Sequence, residues 1–369
     1  MGTKILINGN FLARDLTGIE RFAWEVCRRL DEFLQADDDV NILVPPNALR
    51  FPDYRRIQPV IAARPLKSFP RWDLCTVAAY CKRLGATALS FSNTAPLGKK
   101  CGIAFLHDIY ARDCPQDFST AKERLIRAYS LLHYQNIVRN ARHVVTVSAF
   151  SRGRIQAAYG VADDKISIIG NGWEHIMDER TDEHVFERFP VLLTTPYYFT
   201  LGSISKRKNL AWIARYAAAH PAAHFAVSGK AISGGLVPAE LGALQKLHNV
   251  TLVGYLNDGE IKALMQRCKA LVFPSYYEGF GIPPLEALAL ATPVVVSRSA
   301  SLPEIYGSAA HYIDADTRTA EQSDLDALLA KPVADPHPVL ARYTYTRAAE
   351  QLYALITQYD GVAAQGDVS

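Results

Sequence analysis

Short, continuous apolar runs rich in Val and Ile alternate with helix-length segments along most of the 369-residue chain. In the first half, this pattern predicts strands over residues 4–8, 40–45, 86–92, 102–108, 143–148 and 166–172. In the second half, it predicts strands over residues 197–203, 224–229, 250–255, 270–275 and 293–297. Strands that are apolar on both faces and separated by helices indicate parallel sheets covered by helices on both sides.

The strands fall into two series, separated by the polar stretch 173–196, which we interpret as a linker. Ser119 or Thr120 is expected to cap one of the longer helices, with Glu123 following in its first turn. The predicted helices occupy residues 18–35, 72–84, 119–140, 149–159, 208–219, 258–268 and 284–291, and a further helical pattern begins at Thr344. The fold class predicted is therefore α/β, with two Rossmann-like, doubly wound parallel-sheet domains.

The chain is longer than one ordinary hydrophobic core supports, which also favours two domains. We predict an N-terminal domain over 1–185, which binds the acceptor, and a C-terminal domain over 190–340, which binds the donor. Residues 341–369 are expected to form a C-terminal helix that crosses back to the N-terminal domain.

No apolar run approaches the roughly 20 residues that a membrane-spanning helix needs. The six cysteines form no C-x-x-C pair and show no metal-ligand spacing, so we expect reduced thiols and a cytoplasmic location. Residues 1–175 carry 24 Lys and Arg against 17 Asp and Glu, whereas residues 176–369 carry 16 against 20. A basic first half suits phosphate groups, anionic lipid or nucleic acid, although an unevenly charged, solvated surface explains it equally well.

Ligands of open parallel sheets bind at the carboxyl ends of the strands, so we searched for functional residues directly after strands. The stretch LGSISKRKNL (201–210) places Lys206, Arg207 and Lys208 before a helix, where backbone N–H groups favour anions such as a pyrophosphate. Gly18 lies at another turn into a helix, and His107 follows a strand. Each of these features alone is common in structural turns.

The stretch YYEGFGIPPLEALALATPVV (276–295) contains two carboxylates, Glu278 and Glu286, eight residues apart. Proline is favoured at the first position of a helix, so a helix is predicted to begin near Pro283. Glu278 then lies in a loop, and Glu286 lies about one turn into the helix. This separation disfavours a shared proton-transfer role and favours two contacts with different parts of one ligand.

Taken in order along the chain, these stretches resemble the retaining glycosyltransferases of family 4, which have the GT-B fold. The resemblance covers most of the chain, and its most specific part is the Glu-x7-Glu arrangement within EGFGIPPLEA. It rests on TGIERF (17–22), HD (107–108), VSAFSR (147–152), NG (171–172), LGSISKRKN (201–209), VGYL (253–256), SYYEGFGIPPLEALALATPVV (275–295) and SLPEIYG (301–307). It implies two Rossmann-like domains that face each other across a cleft.

The resemblance also implies three catalytic residues. Glu278 would contact hydroxyls of the donor sugar, Lys208 would stabilise the leaving diphosphate, and His107 would hold and orient the transferred sugar. In the donor-binding set, Glu286 would bind the ribose and Gly18 would let a loop close on the phosphates. Tyr255 and Leu256 would lie near the nucleobase, and the remaining donor-binding positions are Gly202, Ser203, Arg207, Phe280 and Gly281.

The sequence departs from the family pattern at Ser203, near the place where many members carry an arginine. Whether Lys206 or Arg207 supplies the second phosphate cation stays open. None of the stretches that carry the candidate site residues contains an Asp-x-Asp motif of the kind that binds a metal–diphosphate, so we predict no metal and no cofactor. Cations and helix N-termini would then stabilise the leaving diphosphate, and carboxylates would stabilise oxocarbenium character on the sugar. Retention of configuration follows from the resemblance alone.

The function predicted is transfer of a hexose, with mannose from GDP-mannose favoured, to a carbohydrate acceptor in polysaccharide biosynthesis. The predicted acceptor is linked to polyprenyl diphosphate, which places the protein in the cytoplasm with peripheral contact at the inner face of the membrane. The alternatives are a UDP-sugar-dependent transferase, a GT-B sugar-nucleotide epimerase or phosphorylase, and a non-catalytic nucleotide-sugar-binding protein. Nucleic-acid binding is disfavoured because basic and aromatic residues do not interleave and the net charge is only +3.

Overall fold

The chain forms two compact units in a computed structural model that describes residues 4–51, 53–202, 205–229 and 238–363. Unit 1 contains the residues up to Gly172 and those from Tyr343 onwards, and unit 2 contains Trp173–Arg342. The domain boundaries predicted from the sequence lie at residues 185–190 and 340–341. Unit 1 is discontinuous in sequence, whereas unit 2 is a single continuous segment.

In the part of unit 1 that the structure describes, seven parallel strands form one sheet in the order β3-β2-β1-β4-β5-β6-β7. These strands are β1 (Ile5–Asn8), β2 (Val40–Val44), β3 (Gln58–Ile61), β4 (Thr87–Ser90), β5 (Ile103–Phe105), β6 (His143–Thr146) and β7 (Ile166–Ile168).

In the described part of unit 2, six parallel strands form a second sheet in the order β10-β9-β8-β11-β12-β13. These strands are β8 (Tyr197–Leu201), β9 (His224–Ser228), β10 (Val250–Gly254), β11 (Ala270–Phe273), β12 (Val294–Ser297) and β13 (His311–Ile313).

Both sheets reverse their strand order once, and each reversal creates a crevice at the carboxyl ends of two adjacent strands. In unit 1 the reversal lies between β1 and β4, and in unit 2 it lies between β8 and β11. The strands β1, β6, β11 and β12 are buried along their whole length, as expected for parallel sheets covered on both faces. Open α/β sheets bind ligands at such switch points.

The helices pack on both sheets, and several of them begin with sequence-encoded caps. Thr120 caps α5, and its side chain forms a capping box with Glu123, which was one of the two predicted alternatives. The helices are α1 (Gly18–Phe33), α2 (Phe69–Arg71), α3 (Ala78–Leu84), α4 (Tyr110–Asp113), α5 (Ala121–Asn140), α6 (Ala149–Tyr159), α7 (Glu174–Asp178), α8 (His184–Arg188), α9 (Val191–Thr194), α10 (Leu210–Ala219), α11 (Pro238–Gln245), α12 (Asp258–Arg267), α13 (Ile282–Ala289), α14 (Leu302–Tyr306), α15 (Leu325–Leu329), α16 (His337–Arg342) and α17 (Tyr345–Ala363).

The C-terminal helix α17 belongs to the core of unit 1, where it packs against α1. Ala349 and Leu352 of α17 are fully buried and share one apolar cluster with Phe22 and Val26 of α1. Since about 0.8 kcal/mol accompanies each buried CH₂ group, this contact contributes substantially to the stability of unit 1.

The structure differs from the sequence expectations at two edge strands and at the linker. The strands β3 and β13 were missed because β3 is mostly exposed and β13 (His311–Ile313) contains only one aliphatic residue. The stretch 173–196 was interpreted as a linker, but it contains the short helices α7, α8 and α9 and belongs to unit 2. In the described part of the chain, no helix combines the length and apolar character needed to cross a bilayer.

Replacing Leu352 by Ala should destabilise unit 1 by about 2–5 kcal/mol, because it leaves a cavity in the α1–α17 contact. Native-state hydrogen exchange should show faster exchange of the backbone amides of α1 in this variant. The matched control is Gln351→Ala, at an exposed position on the same helix. Unchanged exchange in α1 would show that α17 does not support this part of the core.

Candidate functional site

The switch point of the second sheet brings together two of the three predicted catalytic residues. Lys208 follows β8, and Glu278 follows β11, the adjacent strand. Lys208 Nζ donates a hydrogen bond to Glu278 Oε1 at 2.7 Å, and both side chains are largely buried. Lys208 Nζ also lies 4.4 Å from the centre of the Phe273 ring. The two residues therefore form a buried ion pair across the crevice between the two strands.

The ion pair keeps the Glu278 carboxylate ionised although it is buried. Burial by itself raises the pKa of Glu278, but the positive charges of Lys208 and Arg207 lower it. Hydrogen bonds from Lys208 and Ser275 lower the pKa further, and the net result is a pKa below the ordinary value. A negative carboxylate and a positive amine therefore lie side by side at the carboxyl end of the sheet.

Gly202 gives the Lys208 side chain the space it occupies. Gly202 ends β8 with φ +151°, a backbone conformation that favours glycine. A Cβ atom at this position would lie only 3.0 Å from Cε of Lys208. A larger residue at 202 would therefore displace the lysine that pairs with Glu278. Ser203, the next predicted donor-binding residue, lies outside the described residues.

Asn209 holds the turn that carries the three basic residues. Lys206–Lys208 form one turn of 3-10 helix, and Asn209 then starts α10 with φ +58°, in the left-handed region. Its side-chain amide donates to the carbonyl oxygens of Pro274 (3.0 Å) and Ala315 (2.8 Å). Arg207 also holds this turn in place, because its carbonyl oxygen accepts a 3.0 Å hydrogen bond from the Tyr276 amide.

The segment SLPEIYG (301–307) holds the backbone of the loop that carries Glu278. Ser301 Oγ donates to the carbonyl oxygens of Glu278 (3.0 Å) and Phe280 (3.3 Å), and the Tyr306 hydroxyl donates to that of Gly281. Gly281 has φ +90°, and a Cβ atom there would lie 2.7 Å from Cδ2 of Leu302. These contacts set the backbone that presents Glu278.

Glu286 is oriented by a histidine that the sequence pattern did not identify. The helix α13 begins at Ile282, close to the predicted start, and Glu286 lies in its second turn. His175 Nε2 lies 3.0 Å from Glu286 Oε1, and both side chains are largely buried. His175 lies in α7, within the stretch interpreted as a linker, so no strand-end rule could have found it. Glu286 thus has its own partner and does not join the Lys208–Glu278 pair.

The remaining predicted donor-binding residues of unit 2 differ in burial. They are Tyr255, Leu256 and Phe280. Phe280 is buried. Tyr255 and Leu256 directly follow β10, where Tyr255 is largely exposed and Leu256 is buried. Across the described residues, no three His, Cys, Asp or Glu side chains cluster so that they could hold a metal ion. Metal independence stays a prediction.

The other two predicted site residues, Gly18 and His107, lie in unit 1. His107 is buried at the end of β5, where its Nε2 lies 2.7 Å from the Phe91 carbonyl oxygen. Burial lowers the pKa of His107 more than that carbonyl, Asp108 and Glu20 raise it. The ring is therefore neutral near pH 7, and its Nε2 carries the proton that is donated to Phe91. Gly18 is exposed at the start of α1.

The switch point of unit 1 contains a polar network that the sequence pattern did not reveal. Asp73 is fully buried and accepts hydrogen bonds from Asn8 (2.8 Å), the last residue of β1, and from Asn10 (3.3 Å), just after it. It also accepts one from Thr94 (2.7 Å), which follows β4. Trp72 Nε1 donates to Asn8 Oδ1 at 2.9 Å. Burial raises the pKa of Asp73, although these hydrogen bonds and Arg14 lower it in part. The network joins the two loops at this switch point.

Comparison with known proteins gives the class and then the family. A sucrose-phosphate synthase from Thermosynechococcus elongatus superposes with a TM-score of 0.67 at 17% identity, covering 98% of this chain and 97% of that one. Such a low identity supports the fold alone, which is GT-B. The model for glycosyltransferase family 4 matches residues 16–175, and that for glycosyl transferases group 1 matches residues 183–334. The chain belongs to the family 4 glycosyltransferases.

Two curated relatives are O-antigen mannosyltransferases. The O-antigen chain mannosyltransferase RfbU of Salmonella typhimurium is 28% identical over 257 residues, or 69% of this chain and 68% of the relative. The O-antigen chain mannosyltransferase B of Escherichia coli is 27% identical over 238 residues, or 62% of this chain and 59% of the relative. Each match thus leaves about a third or more of the relative's length uncovered.

Replacing Asn209 separates its two contributions to the site. Asn209→Gly keeps the left-handed backbone but loses both amide hydrogen bonds, so we expect a loss of about 1–3 kcal/mol in unfolding free energy. Asn209→Ala should lose about 1 kcal/mol more, because alanine disfavours φ +58°. Thermal unfolding of the two variants checks this order. Equal stability of the alanine and glycine variants would contradict the backbone contribution.

The pH dependence of stability should reveal the pairing of Lys208 with Glu278. Because the folded-state pKa of Glu278 lies below its ordinary 4.5, its contribution is fully present above pH 4.5 and is lost as the pH falls through the folded-state value. In Lys208→Met the burial is less compensated, so the pKa of Glu278 should rise, its difference from 4.5 should narrow, and the loss of stability at low pH (the acid limb) should become smaller.

Urea unfolding at a series of pH values measures this limb. The control is Lys246→Met, at an exposed position of unit 2 outside the site. An unchanged acid limb in Lys208→Met would show that the pKa of Glu278 does not depend on Lys208.

Proposed function

We propose that the protein transfers mannose from GDP-mannose, with retention of configuration and without a metal ion, to a carbohydrate acceptor linked to polyprenyl diphosphate. The observation that carries this proposal is the buried Lys208–Glu278 pair at the switch point of the unit 2 sheet. The printed activity of the two curated relatives, O-antigen chain mannosyl transfer, supports the choice of sugar. The polysaccharide is then built at the inner face of the membrane.

Lys208 is assigned to the departing diphosphate. An ammonium group has three donors, so Lys208 can donate to Glu278 and also to phosphate oxygens of a bound donor. As the glycosyl–phosphate bond breaks, negative charge grows on the diphosphate, and a cation already held in position stabilises it. Arg207, in the same turn, supplies a second positive charge that also acts on Glu278. In this proposal Arg207 takes the place of the arginine that Ser203 replaces.

Glu278 is assigned to the donor sugar and Glu286 to the ribose. An ionised carboxylate accepts several hydrogen bonds, so Glu278 can pair with Lys208 and still accept from sugar hydroxyls. Its negative charge also stabilises positive charge that develops near the sugar ring. Glu286 is oriented by His175, and its carboxylate has further capacity for the two ribose hydroxyls. The two carboxylates thus serve different parts of one donor.

His107 is assigned to the transferred sugar as a neutral ring. Its Nε2 proton is used by the Phe91 carbonyl, so Nδ1 is the acceptor that the ring offers to a sugar hydroxyl. A low pKa keeps it an acceptor through neutral pH. This role orients the sugar by hydrogen bonding. Gly18, at the exposed start of α1, is assigned to the loop that approaches the phosphates.

Lys208→Met should lower the rate of transfer by about 10²–10³, the loss typical of removing one preplaced transition-state group. The assay follows release of nucleoside diphosphate from GDP-mannose and UDP-glucose, each with lipid-linked sugar acceptors, and the mass of the product. Lys269→Met should retain the wild-type rate, because Lys269 lies at the amino end of β11, whereas the site lies at the carboxyl ends of the strands.

Several outcomes would contradict the proposal. A Lys208→Met rate within a few-fold of wild type would remove Lys208 from the reaction. Turnover with UDP-glucose and none with GDP-mannose would replace the donor. Products of epimerisation or phosphorolysis would replace the reaction, and binding of sugar nucleotides without turnover would indicate a binding protein.

A further inference from the structure

The N-terminal part of α5, in unit 1, presents large apolar side chains to solvent. Leu125 is 72% exposed and Leu132 is 51% exposed. They are seven residues apart, so they lie on the same side of the helix, with Ala128 between them. Isolated exposed leucines are common on soluble proteins, but a row of them along one helix face marks an interaction surface.

This row is not the face by which α5 packs on its own unit. Tyr134, Ile137 and Val138 are buried in an apolar cluster with Leu106 and Val144 of the unit 1 sheet region. At 100° per residue these three positions lie roughly opposite Leu125 and Leu132. The helix therefore carries two apolar faces, one used by the core and one open to solvent.

The neighbouring loop extends the exposed row. Asn136 accepts a 2.9 Å hydrogen bond from the Gly98 amide and donates a 2.9 Å hydrogen bond to the Pro96 carbonyl oxygen. These bonds fix the loop against α5, one turn beyond Leu132. Leu97, between Pro96 and Gly98, is 41% exposed. The apolar row thus continues from the helix onto a second, separately held segment.

Positive charges surround the row. Lys122 and Arg124 lie on its two sides, and Lys99 follows Leu97 in the loop. Residues 121–132 contain one acid, Glu123, which is buried and engaged in the capping box with Thr120. The Arg124 guanidinium donates to the Ser119 carbonyl oxygen, which is neutral, so the positive charge is not cancelled there. Leucines between cations match the apolar edge and anionic headgroups of a bilayer.

We propose that one face of unit 1, which we call the α5 surface, docks on an anionic lipid bilayer. The α5 surface consists of Leu97, Lys99, Lys122, Arg124, Leu125 and Leu132. The leucines enter the boundary between headgroups and acyl chains, and the basic side chains extend to the lipid phosphates. Two copies of the chain meeting through this surface would bring like charges together, which disfavours self-association. A leucine row offers nothing to nucleic acid. The proposal names a surface and does not depend on the donor or the acceptor.

Co-sedimentation of the full chain with vesicles tests the proposal. Wild type should bind vesicles of phosphatidylglycerol and phosphatidylcholine roughly tenfold more tightly than pure phosphatidylcholine, and high salt should abolish the difference. Leu125→Ser with Leu132→Ser should weaken binding to both kinds of vesicle, by roughly tenfold for the anionic ones. Lys122→Gln with Arg124→Gln should remove the preference for anionic vesicles.

The matched control is Leu193→Ser, which removes a leucine of similar exposure, 53%, from α9 of unit 2. Circular dichroism and thermal unfolding establish that the variants are folded.

The proposal is overturned if wild type does not sediment, or if the double serine variant binds as the control does. It is also overturned if that variant instead changes an oligomeric state of the vesicle-free protein. Binding is measured without donor or acceptor, so transfer to a soluble acceptor by a protein that ignores vesicles would leave the proposed function intact.

Discussion

A lysine and a glutamate share a buried site at the edge of the second sheet, and much of unit 2 is arranged around them. Taking two charges out of water is costly, and their attraction offsets this cost only when geometry and further hydrogen bonds are favourable. The chain supplies these conditions from separate segments. Gly202 makes room for the lysine, Asn209 fixes its turn, and Ser301 and Tyr306 fix the loop of the glutamate. A hydrophobic pair of similar size would fill the same space at lower cost in desolvation. The pair is therefore better explained by chemistry at the switch point than by stability.

The sheets were predictable because buried parallel strands appear in sequence as short apolar runs. The two strands that were missed lacked this signal, since β3 is an exposed edge strand and β13 contains only one aliphatic residue. Lys208 and Glu278 could be selected as candidates from their positions after strands. Their direct contact could not be predicted, because it joins residues 70 apart and depends on the order in which the strands assemble.

The supporting residues were less visible for a different reason. Asn209 was seen only as part of a basic turn, and its value comes from carbonyl groups 65 and 106 residues away. His175 lies in a polar stretch without strong periodicity, and only the tertiary fold brings it to Glu286. The motif SLPEIYG was recognised by resemblance, whereas its physical purpose became clear only from the hydrogen bonds of Ser301 and Tyr306. Local patterns thus identify candidate site residues, and long-range contacts identify the residues that hold them in place.

The contribution of α17 to unit 1 has a consequence for biosynthesis. Translation completes the strands of unit 1 first, then the whole of unit 2, and only afterwards the helix that covers α1. Domains usually fold as units while the chain emerges from the ribosome. Here the continuous unit can finish folding while the earlier one still exposes Phe22, Val26 and their neighbours. Unit 1 must therefore wait, partly assembled, until the last helix arrives. During that interval it has the apolar surface that chaperones recognise.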